Sequence, residues 1–308
     1  MTASRAPTPA EPADHPLREA LARGERLHAQ SAPALRHLLA ALDHSLIAEA
    51  VVAQVRGLVA DLARQLVAAR SRSSTTQVLH EAMLVRLLAE DELRAHCQAL
   101  SLEWRLAQAL EAELAIDPVL SPLVQAWVAQ ADAATGSLAM AALAAQARFA
   151  QAQRRMELPI AELPAELFGL VLAVAAEVIP EDPPSATAHG EARLRAEYDE
   201  AATRLALLAR LAQDAEAHTA KAVTIEDAGV ALWLSALAGR SGESRDRTAC
   251  AAADPNLGRL LLTLRAAGVA PLEAERQALR VQPDAHLPRG LEDLGTREAA
   301  QWLAEVRA

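Results

Sequence analysis

The stretch Asp43–Arg70, DHSLIAEAVVAQVRGLVADLARQLVAAR, decides how the chain is read. Ile47, Val51, Val55, Leu58, Leu62 and Leu66 recur at spacings of three and four, the period of a helix with one apolar face. The stripe lasts about five turns at ~3.6 residues each, so it needs a partner helix along its length. Asp43 is the expected N-cap.

Working outward, the same texture continues. On the N-terminal side His15–Gln30 predicts a helix weakened by Gly24, and Pro33 is expected to open the next one. On the C-terminal side the pattern breaks at Ser71–Thr76, where Ser74 and Gln77 have the spacing of a capping box. Leu79, Met83, Leu84, Leu87 and Leu88 then form an apolar face, and after a turn at Glu90–Asp91 a further helix runs to about Ile116. Asp117-Pro118 and Asp254-Pro255 read as helix starts, with the carboxylate as cap and the proline in the first turn. Gly136 is expected to separate two helices, and an apolar helix ends near Ile179. Arg193 with Glu197, and Glu200 with Arg204, form i,i+4 pairs on a solvated face. Thr224 with Asp227 is expected to cap the helix carrying Trp233, and Gly239–Ser244 to form a loop. Pro271 and Thr296 start the last two helices.

Composition supports the same class. Apolar residues make up 52% and aromatics 2%, which favours helix and excludes a strand-rich core. The fold expected is all-α with about eleven helices: antiparallel hairpins in the N-terminal part, and HEAT-like, solenoid-type helix pairs in the C-terminal part. The organisation predicted is a tail at 1–14, a helical domain at 15–179, a linker at 180–190 containing PEDPPS, and a second helical domain at 191–308.

Within Ala228–Val281, the run ALWLSALAGRSGESRDRTACAAADPNLGRLLLTLRAAGVAPLEAERQAL carries an apolar helix, a Gly-Arg-Ser-Gly loop with Arg-Asp-Arg, and a Leu-rich helix. With Ala145–Phe168, AQARFAQAQRRMELPIAELPAELF, it resembles an all-helical alphaproteobacterial family known as a domain of unknown function with HEAT-like helix pairs. That resemblance covers about a quarter of the chain. It implies a helical repeat-like fold and a bacterial origin, and no reaction.

The net charge is −10, with acidic and basic residues spread evenly, so the chain offers no concentrated cationic surface for nucleic acid. No run is long enough to span a bilayer, and the first fourteen residues lack the apolar core of a signal peptide. Cys97 and Cys250 have no second thiol at metal spacing. A cytoplasmic location follows as the expectation.

Chemistry-bearing patterns are sparse. His80-Glu81 lacks the second histidine of a zinc helix. Glu92–His96 and Asp214–His218 are i,i+4 pairs that read as surface ion pairs rather than metal sites, and His37 and His44 as partly exposed helix residues. His96 and Cys97 are consecutive, so they point in different directions and cannot pair as base and nucleophile. Gly239-Arg-Ser-Gly242 is one residue short of a nucleophile elbow and follows no strand. No phosphate-binding loop is present.

No catalytic residue, metal ligand or cofactor is therefore expected. Arg240, Arg245 and Arg247, interleaved with Glu243 and Asp246, form a small cationic cluster that either holds a phosphate or a partner's carboxylate or is solvated and paired with the intervening acids. Trp302, near the C-terminus, is the candidate partner-facing aromatic. The leading expectation is a non-enzymatic scaffold or adaptor that binds another protein, with self-association as a further option. The alternative is a sensor holding a small hydrophobic molecule between alanine-rich helices. A third is an enzyme whose site assembles two or more of His80, His96 and Cys97 with a distant carboxylate.

Overall fold

In the computed structural model, residues 16–40, 49–70, 76–129, 133–179, 187–213 and 219–306 are described. They form fifteen α-helices and no strand. In order these are α1 (Pro16–Ala40), α2 (Glu49–Arg70), α3 (Thr76–Ala89), α4 (Asp91–Leu114), α5 (Pro122–Val128), α6 (Ala133–Arg154) and α7 (Ala165–Val178). There follow α8 (Thr187–Glu197), α9 (Arg204–Gln213), α10 (Thr219–Ala222), α11 (Ile225–Ser241) and α12 (Arg245–Ala253). The last three are α13 (Gly258–Ala266), α14 (Pro271–Val281) and α15 (Thr296–Glu305). Short 3-10 turns occupy Ile160–Glu162 and Glu200–Ala202.

The α2 stripe behaves as its period demands: Val51, Val55, Leu58, Leu62 and Leu66 are all buried. They join Met83 and Leu87 of α3, Leu93, Cys97 and Leu100 of α4, the connector residues Leu158, Ile160 and Leu163, and the inner face of α7 in one apolar cluster. A second, larger cluster joins α1, the other flank of α4, α5, α6, and α9 to α15. At its centre runs α11, buried from Val230 to Ala238. The two clusters meet along α4.

Packing crosses the segment expected as a linker. Of that segment, 180–186 lies outside the described residues, while 187–190 already belongs to α8. Beyond it, α8 packs on α2 and α9 packs on α6 and α11. Tyr198 stacks on Phe168 with ring centres 3.9 Å apart and donates to the Leu163 carbonyl at 2.9 Å. In the C-terminal part α13 packs on α15 but also on α1, and α12 packs on α4. A stack of local helix pairs would confine contacts to chain neighbours.

Several expected boundaries move. Helix α1 runs unbroken through Gly24 and Pro33, and Gly136 lies inside α6. The Asp-Pro pairs start their helices a turn late, because each aspartate is consumed in a turn of its own. The Asp117 Oδ1 accepts from the Val119 and Leu120 amides at 2.7 and 2.9 Å, and Ser121 becomes the cap of α5. The Asp254 Oδ1 accepts from the Asn256 amide at 2.9 Å, and α13 begins only at Gly258. Thr224 occupies the N-cap position of α11, but its hydroxyl donates to the Ala220 carbonyl. Asp43, His44, Ser74, Asp214 and His218 lie outside the described residues, as does the side chain of His37.

Within the larger cluster, Gly258 and Gly229 are required by geometry. At Gly258 a Cβ would lie 2.7 Å from Ala20, so only a bare backbone lets α13 approach α1 so closely. Gly229 has φ +67° and ψ +164°, a conformation essentially reserved for glycine, and kinks α11 where it crosses Ser121.

Candidate functional site

Helix α4 carries His96, Leu100 and Glu103 at i, i+4 and i+7, one above the other on a single stripe. All three are buried, within a helix whose neighbouring apolar residues feed both clusters. Two polar side chains buried on one helical stripe require partners from elsewhere in the chain.

Glu103 finds two. Arg204, the first residue of α9, donates to its carboxylate at 2.7 and 3.0 Å, and Arg245, the first residue of α12, at 2.8 and 2.8 Å. Further donors are also used: Arg204 donates to the Gln146 side-chain oxygen at 3.0 Å, and Arg245 to Ser235 at 2.9 Å. Burial pushes the Glu103 carboxyl upward, but attraction and hydrogen bonds from Arg204 and Arg245 outweigh this and bring it to about 2. The Glu200–Arg204 pair expected from spacing does not form. Glu200 instead accepts from the Ala165 amide, and the Arg204 side chain turns inward.

The Arg204 guanidinium lies 3.6 Å from the centre of the Phe149 ring, and Phe149 meets Trp104 edge to face at 6.5 Å. Phe149 and Arg204 belong to the wall of a cavity of about 270 Å³. Leu100, Ala152, Leu158, Pro159, Ala161 and Leu205 supply most of the rest, so the lining is predominantly apolar. The cavity lies where the two clusters meet, between α4, α6, α9 and the 157–162 connector. Small residues on α6 and the connector leave the space open.

The connector wall is fixed from α2. The Asp61 Oδ2 accepts from the Leu158 amide at 2.9 Å, Gln65 donates to the Leu158 carbonyl at 2.8 Å, and the Gln65 Oε1 accepts from the Ile160 amide at 3.1 Å. Two residues one helical turn apart thus satisfy a strand-like piece of backbone that has no ladder of its own.

His96, 2% exposed, lines the same cavity. Its Nδ1 is 2.9 Å from the Asp246 Oδ2, and its Nε2 is buried with no hydrogen-bond partner. A carboxylate can only accept, so Nδ1 carries the proton and Asp246 orients the ring. Gln153, 1% exposed, also lines the cavity. Its Oε1 accepts from Gln54 at 3.0 Å, while its amide nitrogen has no partner. Leaving a buried polar atom unsatisfied costs about 1–3 kcal/mol. Sequence spacing assigned His96 to Glu92 on the surface; the observed partner is 150 residues away.

The convergence envisaged for an assembled enzyme site is met only in part. His96 meets a distant carboxylate, but His80 bonds to the Ala60 carbonyl at 3.1 Å. Cys97 points into the apolar cluster, where burial, with Asp246 adding to it, holds its thiol protonated. Burial first and Asp246 second likewise push the Cys250 thiol up to about 12. Neither thiol is a nucleophile for His96. Among the described residues no group of three His, Cys, Asp or Glu side chains could hold a metal ion, and no helix is long and apolar enough to cross a membrane.

The residues expected to face a partner scatter. Trp302 is buried in the larger cluster, with the Arg18 guanidinium 4.4 Å from its ring centre, which corrects the expectation of an exposed aromatic. Arg245 is committed to Glu103. Arg247 lines a groove of about 480 Å³ with His28 and Arg259, while exposed Arg240 borders a different hollow of about 320 Å³. Glu243, interleaved with these arginines in the sequence, is buried and paired with Arg259.

No family model, curated protein or solved structure matches this chain.

Proposed function

We propose that this protein binds a small, mostly apolar molecule in the cavity between α4, α6, the 157–162 connector and α9, acting as a sensor or carrier. The observation that carries the reading is the cavity itself, about 270 Å³ bounded mainly by Leu100, Phe149, Ala152, Leu158 and Leu205. At ~30 Å³ per water it has room for about nine, yet most of the wall surface that meets them is apolar. An apolar occupant removes that deficit and buries surface worth about 25 cal/mol per Å². Pockets with apolar walls and a few placed polar groups are the usual form of small-ligand sites.

The scaffold expectation has less behind it, since Trp302 and Arg245 lie inside the fold and the arginine cluster is dispersed. The reading involves binding without turnover. Two cysteines without a disulfide accord with a reducing compartment such as the cytoplasm.

The test is thermal denaturation with a panel of eight-carbon compounds, together with Ala152→Phe, which places a ring in the cavity. Ligands should raise Tm in proportion to the logarithm of their concentration above Kd. The variant should lose that response while remaining folded. A flat response across the panel, with wild type and variant alike, would reject the reading.

A further inference from the structure

We propose that the ligand of this cavity bears a carboxyl group, received by His96. The inference rests on the cavity reading above and adds the chemistry of the ligand's head. The charged groups that face His96 or share the cavity wall are Asp246 from α12, Arg148 from α6, Glu157 and Glu162 from the connector, and Arg204 from α9. Each of the others already has a partner inside the protein. Arg204 grips Glu103, Arg148 lies 3.8 Å from Glu162, and Glu157 accepts from Arg155 at 2.8 Å. Among the residues of this wall, two buried nitrogens are left without a partner, the Nε2 of His96 and the amide Nε2 of Gln153.

These two atoms ask for complementary things. With Nδ1–H directed at Asp246, the Nε2 of His96 offers a lone pair and needs a proton brought to it. The Gln153 amide nitrogen only donates and needs an acceptor oxygen. A carboxyl group supplies both kinds of atom. The hydrogen bond to His96 forms whichever side holds the proton, as N···H–O or as N–H···O. In the second form the proton on Nε2 comes from the acid O–H, whose electron pair stays on the carboxylate, or from water when the ligand arrives as the carboxylate, and Asp246 stabilises the imidazolium. That bond is charge-assisted, which an alcohol cannot match and an ester lacks altogether. The aliphatic remainder lies against Phe149, Leu205, Leu100 and Leu158.

Calorimetric titration of the whole protein with octanoate, octan-1-ol and methyl octanoate tests this. Octanoate should bind about tenfold or more tighter than either neutral compound. His96→Gln should abolish that preference by weakening octanoate about tenfold more than it weakens methyl octanoate. Asp246→Asn, farther from the cavity, should reduce the preference through the orientation and charge of His96, and serves if the His96 variant does not fold. If the neutral compounds bind as tightly as octanoate and Ala152→Phe blocks all three, the cavity reading stands and the carboxyl assignment falls. A preference for octanoate that survives in both the His96 and Asp246 variants also overturns it. If none of the three binds, both fall.

Discussion

The imidazole of His96 and the carboxylate of Asp246 stand 2.9 Å apart although 150 residues separate them. The contact ties α4 to the first turn of α12 and leaves one face of a buried base without a protein partner. Asp246→Ala should strip the second nitrogen of its partner and lower stability by about 1–3 kcal/mol. Asp246→Asn keeps an acceptor and should cost less. Urea unfolding of both variants decides this, and equal loss would mean that charge rather than the hydrogen bond matters.

Removing the charge of Glu103 strands two buried guanidinium groups. Glu103→Gln should destabilise by about 3–5 kcal/mol, more than any exposed ion pair on the surface. The pH dependence follows from the depressed carboxyl. Its contribution is fully present above the ordinary value of 4.5 and is lost as pH falls through about 2. The slope of unfolding free energy against pH between these values should therefore be steeper in wild type than in the variant.

Gly229→Ala should cost about 1–3 kcal/mol, because its φ of +67° with ψ of +164° is closed to a side chain. A new Cβ would also sit 3.0 Å from the Ser121 Cβ. Adding Ser121→Gly separates the causes: backbone strain predicts no recovery in the melting temperature, steric pressure predicts most of it.

Thiol labelling offers an independent check on burial. With the Cys250 thiol pushed up to about 12, its reaction at pH 8 should be slower by about a thousandfold than in the unfolded chain. Cys97, wholly enclosed, should not react until the protein unfolds. Prompt labelling of both in native conditions would contradict the packing of α4 against α12.

What could be read in the chain was whatever repeats locally. The α2 stripe and the apolar α7 follow from period and backbone preference, whereas the loop expected at Gly239–Ser244 opens only after Ser241. Arg204 illustrates the limit. A glutamate four residues before it suggested a surface pair, yet Glu103 attracts it into the interior, and no local rule reports a partner 101 residues away. One signal was available. His96 and Glu103, like Arg94 and Ser101, interrupt the apolar set Leu93, Cys97, Leu100, Trp104 and Leu110 at positions that cannot reach water. The Asp-Pro starts failed for a different reason, since an aspartate that closes a turn is no longer free to cap.

Helix α4 lends opposite flanks to both apolar clusters, and this binds their fates. Neither can melt without stripping a wall from the other, so heating should yield one cooperative transition rather than two. A chain severed between α7 and α8 would leave Glu103 facing no cation at all, and its two pieces should persist only as a reassembled complex.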